Sequence, residues 1–193
     1  MPRTQDPAIT EAILDVVPAL LTNRSFSELT MDEIAAEAGV GKPAIYRRFA
    51  NKAALVLAAT ARMLTPMEEP VSERRPAREA LRDLAERAQP RDPAGYAALI
   101  GGLMAEHRRH PELIAGFREH ILDPRRAVVV AHVREGQRQG SIRADVHPET
   151  AVDMLGGAFL ARAFAGLPMD TAWREQAFAL WWDGICARAP GPR

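Results

Sequence analysis

Cationic and hydroxyl-bearing side chains are concentrated in one short part of the chain. Residues 39–67 include no acidic residue. The basic residues of this stretch are Lys42, Arg47, Arg48, Lys52 and Arg62. Lysine and arginine donate to phosphate oxygens and to guanine edges, and the hydroxyls of Thr30 and Tyr46 can donate to phosphates. The whole chain carries 25 basic and 25 acidic residues, so this basic character is local. It favours a surface that meets nucleic acid.

Other residue patterns that carry chemistry are weak. His107 and His110 stand three residues apart beside Glu106 and Glu112, but no further set of metal ligands accompanies them, which favours surface histidines. The chain lacks a phosphate-binding glycine loop, a nucleophile elbow and an HExxH pattern. Cys186 is the only cysteine, which excludes an intrachain disulfide and a zinc cluster built on cysteines. We therefore expect no enzymatic activity, no metal and no cofactor.

The elements that carry the basic stretch are predicted to be helical. Apolar residues recur at helical spacing almost throughout, and no run alternates with the period of two of a half-buried strand. We therefore predict an all-α protein. No apolar run approaches the roughly 20 residues that cross a bilayer, and the first residues, MPRTQDPAIT, do not resemble a secretory signal. A cytoplasmic protein without a membrane partner is the expectation.

Local signals divide the basic stretch into short helices. Thr30-Met31-Asp32-Glu33 is a capping box, which predicts the start of a second helix. Gly39 supplies a left-handed stop. Pro43 suits the first turn of a short third helix, and Asn51 is placed to cap a fourth.

Two helices joined across a tight turn predict a helix-turn-helix, in which the first helix braces the second in the major groove. We expect the angle between them to be fixed by Ile34, Ala35, Ala38, Val40, Ile45 and Phe49. The side chains expected to face outward are those of Lys42, Ala44, Arg47 and Arg48. Helical spacing alone is equally compatible with an ordinary helical hairpin that has a solvated basic face.

The stretch TMDEIAAEAGVGKPAIYRRFANKAALVLAA, residues 30–59, resembles the TetR family signature. The resemblance implies an N-terminal helix-turn-helix DNA-binding domain followed by a helical ligand-binding and dimerisation domain. It implies phosphate contacts by Thr30, Tyr46 and Lys52, and positions near bases for Lys42, Pro43 and Arg48.

Two residues depart from the pattern: Gly41 replaces a common serine, which weakens the helix cap, and Ala44 replaces a threonine that often contacts phosphate. The stretch QRQGSIRADVHPETAVDMLGGAF also resembles a segment of some family regulatory domains.

A domain boundary is predicted at TPMEEPVSERRP, residues 65–76, which has three prolines and little that could pack. The DNA-binding domain would then occupy residues 1–64 and the regulatory domain residues 77–193. Within the latter, one helix face is predicted to carry Ala97, Ile100, Met104 and His107. The last two helices are predicted at about 148–165 and 171–188.

The last helix is apolar on two faces, and the helix before it carries small residues that permit close approach. The two helices resemble the pair that builds the four-helix dimer interface of the family. The predicted interface residues are Met154, Leu155, Ala158, Phe178, Trp181, Trp182 and Ile185. A homodimer would place two recognition helices about 34 Å apart and would bind a palindromic operator in double-stranded DNA. The alternative is a buried helix pair inside a monomer.

A small hydrophobic effector would need a largely apolar cavity with a few polar groups. The candidate lining residues are Tyr96, Ile100, Leu103, Met104, His107, Phe117, Met154 and Phe159, although such a stripe is also typical of plain core. The resemblance to the TetR family thus implies a repressor that an effector releases from DNA by a shift of conformational populations. The alternative is a helical ligand-binding or adaptor dimer without sequence-specific DNA binding.

Overall fold

The computed structural model describes residues 6–67, 70–90 and 92–187. Its regular elements are helices, and the all-α prediction is confirmed; the pairs Leu64–Pro90 and Ile142–Cys186 form isolated bridges. The elements are α1 (Pro7–Asn23), α2 (Met31–Glu37), α3 (Lys42–Tyr46), α4 (Lys52–Arg62), α5 (Ala77–Arg87), α6 (Pro93–Glu106), α7 (Pro111–Phe117), a π-helical segment (Arg118–Leu122), α8 (Asp123–Arg138), α9 (Pro148–Phe164) and α10 (Thr171–Ile185). Among these residues, no helix combines the length and the apolar character needed to span a membrane.

The helices pack into two compact units that interleave along the chain. The first unit comprises Met1–Leu64 and Pro90–Ile121, and the second comprises Thr65–Gln89 and Leu122–Arg193. Helices α1 to α4 therefore pack with α6 and α7, whereas α5 packs with α8, α9 and α10. The predicted domain ranges 1–64, 65–76 and 77–193 are consecutive, so they divide the chain differently from these packing units and stay a prediction about domains.

The helix boundaries of the basic stretch follow from their caps. The Glu33 amide donates to the Thr30 hydroxyl (3.2 Å), and the Thr30 amide donates to the Glu33 carboxylate (2.9 Å), which completes the predicted capping box. Gly39 has a φ of 65° and ends α2. The Asn51 side chain accepts from the Ala54 amide (2.8 Å) at the start of α4. These predictions are confirmed, as is the missing side-chain cap at Gly41.

The core of the first unit joins the helix-turn-helix to α6 and α7. Its fully buried side chains include Ile13, Val17, Leu29, Ile34, Ile45, Leu55, Val56 and Leu113. From α6, Ile100 and Leu103 enter the same core, and Ala97 is also buried. The predicted face of this helix was wrong for Met104 and His107, which are exposed. The buried stripe of α6 instead passes through Leu103 and ends at Glu106.

The core of the second unit is built around the aromatic residues of α10. Its buried members are Ala77, Leu81, Val133, Ile142, Ala151, Phe178, Trp181, Trp182 and Ile185. The Trp181 indole N–H donates to the Ala151 carbonyl (2.8 Å), so its one polar group is satisfied inside the core. Met67 is also buried. The expectation that residues 65–76 have little that packs was therefore wrong at this methionine.

Candidate nucleic-acid interface

The turn between α2 and α3 is held by backbone hydrogen bonds. The Ala38 amide donates to Ile34 (3.0 Å), and the Val40 amide reaches back to the Ala35 carbonyl (2.9 Å). The left-handed conformation of Gly39 makes this reversal possible. Below the turn, Ile34 and Ile45 are fully buried. The turn and the shared core therefore fix the angle at which α3 leaves α2.

The outer side of α3 presents Lys42, Pro43, Tyr46 and Arg47, all exposed. The Lys42 ammonium donates to Asp32 (2.9 Å), and this hydrogen bond raises the pKa of Lys42. Tyr46 has 51% of its surface exposed. Cationic and hydroxyl donors on an exposed recognition helix can contact both bases and phosphates.

Thr30 is exposed at the start of α2, and its hydroxyl is shared with Glu33. The oxygen accepts from the Glu33 amide, and the hydroxyl donates to the Glu33 carboxylate (2.9 Å). Hydrogen bonds from Thr30 lower the pKa of Glu33, with a smaller contribution from the charge of Arg24. Any phosphate contact by the Thr30 hydroxyl therefore competes with the capping box.

Ala44 lies on the inner side of α3 and is buried. The expectation that it faces outward was wrong. In a helix of five residues the core takes two consecutive positions, Ala44 and Ile45, and the outward positions fall on either side of them. The small side chain of Ala44 leaves room for close packing beneath the recognition helix.

Arg48 is turned toward the protein instead of outward. Its Nε donates to the Thr10 hydroxyl (2.9 Å), Nη1 donates to the Ala44 carbonyl (2.9 Å), and Nη2 donates to the Asp6 carbonyl (3.2 Å). The outward orientation expected from the sequence was therefore wrong. The guanidinium fork joins the end of α3 to the beginning of α1, a contact between residues about 40 positions apart that helical spacing does not encode.

Lys52 is likewise directed at backbone groups. Its ammonium donates to the carbonyls of Phe26 (2.7 Å) and Leu29 (2.6 Å) and lies 4.4 Å from the centre of the Phe26 ring. Burial lowers the pKa of Lys52, while the charges of Glu106 and Glu33 act in the opposite direction. The ammonium group thus fastens the loop between α1 and α2 to the start of α4.

The end of α6 meets the same loop through two contacts that sequence reasoning missed. The Ser27 hydroxyl donates to the Glu106 carboxylate (2.8 Å), and the Phe26 and His110 rings meet edge to face with centroids 4.8 Å apart. Glu106 is only 5% exposed. A lone carboxylate at the end of the apolar run in α6 was the available signal, because a buried charge requires a partner.

The predicted effector-lining residues fall in different environments. In the first unit, Ile100 and Leu103 are buried, Tyr96 and Phe117 are half-buried, and Met104 and His107 are exposed. The cavity beside Leu103 measures about 10 Å³, which is room for about one water molecule. In the second unit, Met154 is 63% exposed. Phe159 is half-buried and packs edge to face on Trp173, with ring centroids 5.0 Å apart.

The predicted dimer residues divide into buried and exposed groups. The interface assignment of Phe178, Trp181, Trp182 and Ile185 was wrong, because these side chains fill the core of their own second unit. Leu155 packs partly against that core, whereas Met154 and Ala158 are exposed on α9. On α10, Leu180 was not among the predicted interface residues, yet it is 67% exposed. The large apolar side chains left exposed on α9 and α10 are those of Met154, Leu160, Phe164 and Leu180.

Two families of known protein domains match parts of this chain. Residues 13–59 match the family of bacterial regulatory proteins of the tetR type, and residues 77–180, more than half of the chain, match the tetracyclin repressor-like C-terminal domain. Among curated relatives, the uncharacterized HTH-type transcriptional regulator YdeS of Bacillus subtilis is 26% identical, over 83% of this chain and 80% of its own length. The DNA-binding transcriptional repressor TetR of Mycobacteroides abscessus is 28% identical, over 84% and 85% of the two chains.

Solved structures share the fold. A transcriptional regulator from Saccharomonospora viridis, crystallised in complex with choline, superposes with a TM-score of 0.62 at 18% identity. The superposition covers 95% of this chain and 100% of that one. The matched C-terminal domain, the helix-turn-helix match and the all-α architecture agree with one another, and the chain belongs to the TetR family of transcriptional regulators.

Proposed function

We propose that this regulator is a repressor that binds a palindromic operator as a homodimer and leaves it when a small organic effector binds. The observation that carries the proposal is the outer side of α3, where Lys42, Pro43, Tyr46 and Arg47 are exposed above the buried pair Ala44 and Ile45. A rigid helix with donors on one side has the form that major-groove reading requires.

Within this interface we assign Lys42, Pro43 and Arg47 to the bases and Tyr46 to a phosphate. Thr30 is a second, weaker phosphate contact, since its hydroxyl also serves Glu33. Arg48 and Lys52 act as positioning residues, because their donors bind backbone carbonyls of the first unit, whereas Lys42 pairs with Asp32 at the exposed surface. This assignment departs from what the family resemblance implied for these two cations, and the departure rests on their hydrogen bonds.

The proposed dimer uses the exposed apolar surface of α9 and α10. Its small exposed positions are Gly157, Ala158 and Gly184, and its large exposed side chains are those of Met154, Leu160, Phe164 and Leu180. Small residues let helices of two copies approach closely, and an isologous two-fold interface would place the two α3 helices about one helical turn of DNA apart.

The effector is proposed to be a small organic molecule. The support is indirect: a structural neighbour was crystallised with choline. A repressor role is supported by the relative from Mycobacteroides abscessus, which carries that description. We propose that the effector stabilises a form whose two recognition helices no longer match the groove spacing, which lowers affinity for DNA. Of the lining residues proposed from the sequence, the half-buried Tyr96 and Phe117 of the first unit are the first to test.

Selection of bound DNA from a random pool tests the proposal directly. The expected result is enrichment of one palindrome whose half-sites lie about 10 base pairs apart or a multiple of it. A screen for compounds that release the protein from this palindrome then identifies the effector. Enrichment of an asymmetric site would contradict the dimer, and absence of enrichment would contradict sequence-specific binding.

A pair of variants tests the dimer. Leu180→Glu places a charge on the exposed apolar surface and should give monomers in light scattering, with the helical signal retained. Leu122→Glu is the matched control, because this leucine is also exposed but lies outside α9 and α10. Dimers that persist in Leu180→Glu would place the interface elsewhere.

One observation favours the alternative function, an adaptor dimer without sequence-specific DNA binding. Of the cations that argued for DNA, Lys42 pairs with Asp32, and Arg48 and Lys52 donate to groups inside the first unit. The same DNA selection separates the two functions, because an adaptor would enrich no sequence while still binding its effector.

A further inference from the structure

The turn between α6 and α7 carries two arginines beside the helix-turn-helix. Arg108 and Arg109 are both exposed. Among the described residues, neither guanidinium has a hydrogen-bond or ion-pair partner. The turn itself is fixed, since the amides of Arg109 and His110 both donate to the Glu106 carbonyl (2.9 and 2.8 Å). Two unpaired cations therefore project from a well-defined backbone.

This turn is fastened to the place where α2 and α4 begin. Glu106 accepts from Ser27, and His110 packs on Phe26, within the loop that leads into α2. The carbonyls of the same loop accept from Lys52, the first residue of α4. The arginines thus lie one to three residues from contacts that hold the starts of both helices together.

The neighbouring carboxylates do not neutralise the two arginines. Glu106 is buried against Ser27. Glu112 is paired with the His110 ring (3.1 Å), and the Glu28 carboxylate accepts from the amide and the hydroxyl of Ser25 (2.9 Å each). Arg108 and Arg109 are therefore exposed cations without a carboxylate partner among the described residues, and their turn contacts the loop that leads into α2.

We propose that Arg108 and Arg109 form an accessory contact to the DNA backbone, binding phosphates that flank the groove occupied by α3. The inference rests on the proposed function. Arginine suits this role because its planar fork binds phosphate oxygens in pairs. The contact adds affinity without adding sequence information, since phosphates are the same beside every base pair.

The salt dependence of operator binding tests this proposal. The full-length double variant R108A/R109A is titrated against the selected operator over a range of salt concentrations, with fluorescence anisotropy as the readout. We expect the slope of log affinity against log salt to become shallower by about 0.9 for each phosphate that the variant no longer binds, and so by about 1.8 per protomer. Affinity for random DNA should fall by the same factor as affinity for the operator.

A double variant of equal charge provides the matched control. R78A/R118A removes two exposed arginines that are not part of this turn, one on α5 and one on the π-helical segment. It should leave the salt slope unchanged. R108K/R109K retains two point charges and should keep a slope close to that of the wild-type protein.

The outcomes separate the two proposals. An unchanged slope in R108A/R109A, or an equal change in R78A/R118A, would overturn the accessory contact while operator binding by the wild-type protein stands. A selective change in operator preference would also overturn it, because a phosphate contact affects all sequences alike. Failure of the wild-type protein to bind any DNA would overturn the repressor function and this inference together.

Discussion

The α2–α3 pair and the α9–α10 pair show how differently a sequence can specify two helical hairpins. In α2–α3, polar residues and glycine at the ends, Thr30, Glu33 and Gly39, fix each boundary through local hydrogen bonds and backbone conformation. In α9–α10, apolar residues occur on all sides. The residue types there indicate that the helices are buried, but they do not indicate which side of each helix faces the core of the protomer.

Neighbouring residues on α10 make the difference concrete. Trp181 is 6% exposed, whereas Leu180 beside it is 67% exposed. A buried indole removes more apolar surface from water than a buried leucine does, and on α10 the core of the protomer includes Trp181. Leu180 is left on the surface, where a second copy of the chain is proposed to cover it.

Trp181→Ala should produce the largest effect, because it opens a cavity in the second core and leaves the Ala151 carbonyl without its donor. We expect a loss of about 3 to 5 kcal/mol in the free energy of unfolding, measured by urea denaturation. Leu180→Ala is the control and should change the stability of the monomer by less than about 0.5 kcal/mol. Equal losses in the two variants would contradict the division of α10 into a core side and an open side.

Lys52→Met should destabilise the first unit, because the carbonyls of Phe26 and Leu29 lose a charged donor. We expect a loss of about 2 to 3 kcal/mol in urea denaturation. Lys42→Met removes the same charge from the exposed side of α3 and should leave stability nearly unchanged while weakening operator binding. If Lys52→Met keeps full stability and loses DNA affinity, Lys52 is a phosphate contact and not a positioning residue.

Arg48→Met should loosen the start of α1, because the guanidinium joins Thr10 and the Asp6 carbonyl to the end of α3. We expect a loss of about 1 to 2 kcal/mol, with faster hydrogen exchange in the first turns of α1. The selected operator sequence should stay the same. Arg47→Met is the comparison variant and should change operator preference; a reversed result would assign base reading to Arg48.

Thr30→Ala should have the smallest effect, about 1 kcal/mol, because it removes one N-cap. A pH dependence accompanies it. Hydrogen bonds from Thr30 hold the pKa of Glu33 below its ordinary value of 4.5, so their contribution is present above that pH and is lost as pH falls through the lowered pKa. Alanine keeps the backbone amide that donates to Glu33 and loses only the hydroxyl, so acid unfolding of Thr30→Ala should show a slightly shallower loss of stability below about pH 4.5 than the wild-type protein. Thr150→Ala, at an exposed position within α9, should behave like wild type, and equal stability of Thr30→Ala and the wild-type protein at neutral pH would contradict the capping role.

The residues that sequence reasoning placed correctly are those whose partners lie within a few positions. Thr30, Gly39 and Asn51 act on neighbours three or four residues away, so their motifs are complete in the sequence. Arg48 and Lys52 were misplaced because their partners, Thr10 and Phe26, are 38 and 26 residues distant. From the sequence alone, a lysine or arginine on a short helix that donates to a DNA phosphate cannot be distinguished from one that donates to a distant carbonyl of the same protein.

The same limit applies to burial. Ala44 was expected outside because α3 is too short for its periodicity to define a face. Met67 was expected in a loose connection because prolines and charges surround it, yet it is buried. In both cases the tertiary packing decides the position, and the local pattern is compatible with either outcome.

The inward direction of Arg48 and Lys52 has a consequence for engineering this protein. The two cations that hold the helix-turn-helix together, Arg48 and Lys52, are separate from the residues on the outer side of α3. The outer residues can therefore be substituted without removing the contacts that hold the fold. A library randomised at Lys42, Pro43 and Arg47, with Ala44, Arg48 and Lys52 held constant, should yield folded regulators with new operator preferences. Randomising the bracing residues instead should yield mostly unfolded clones.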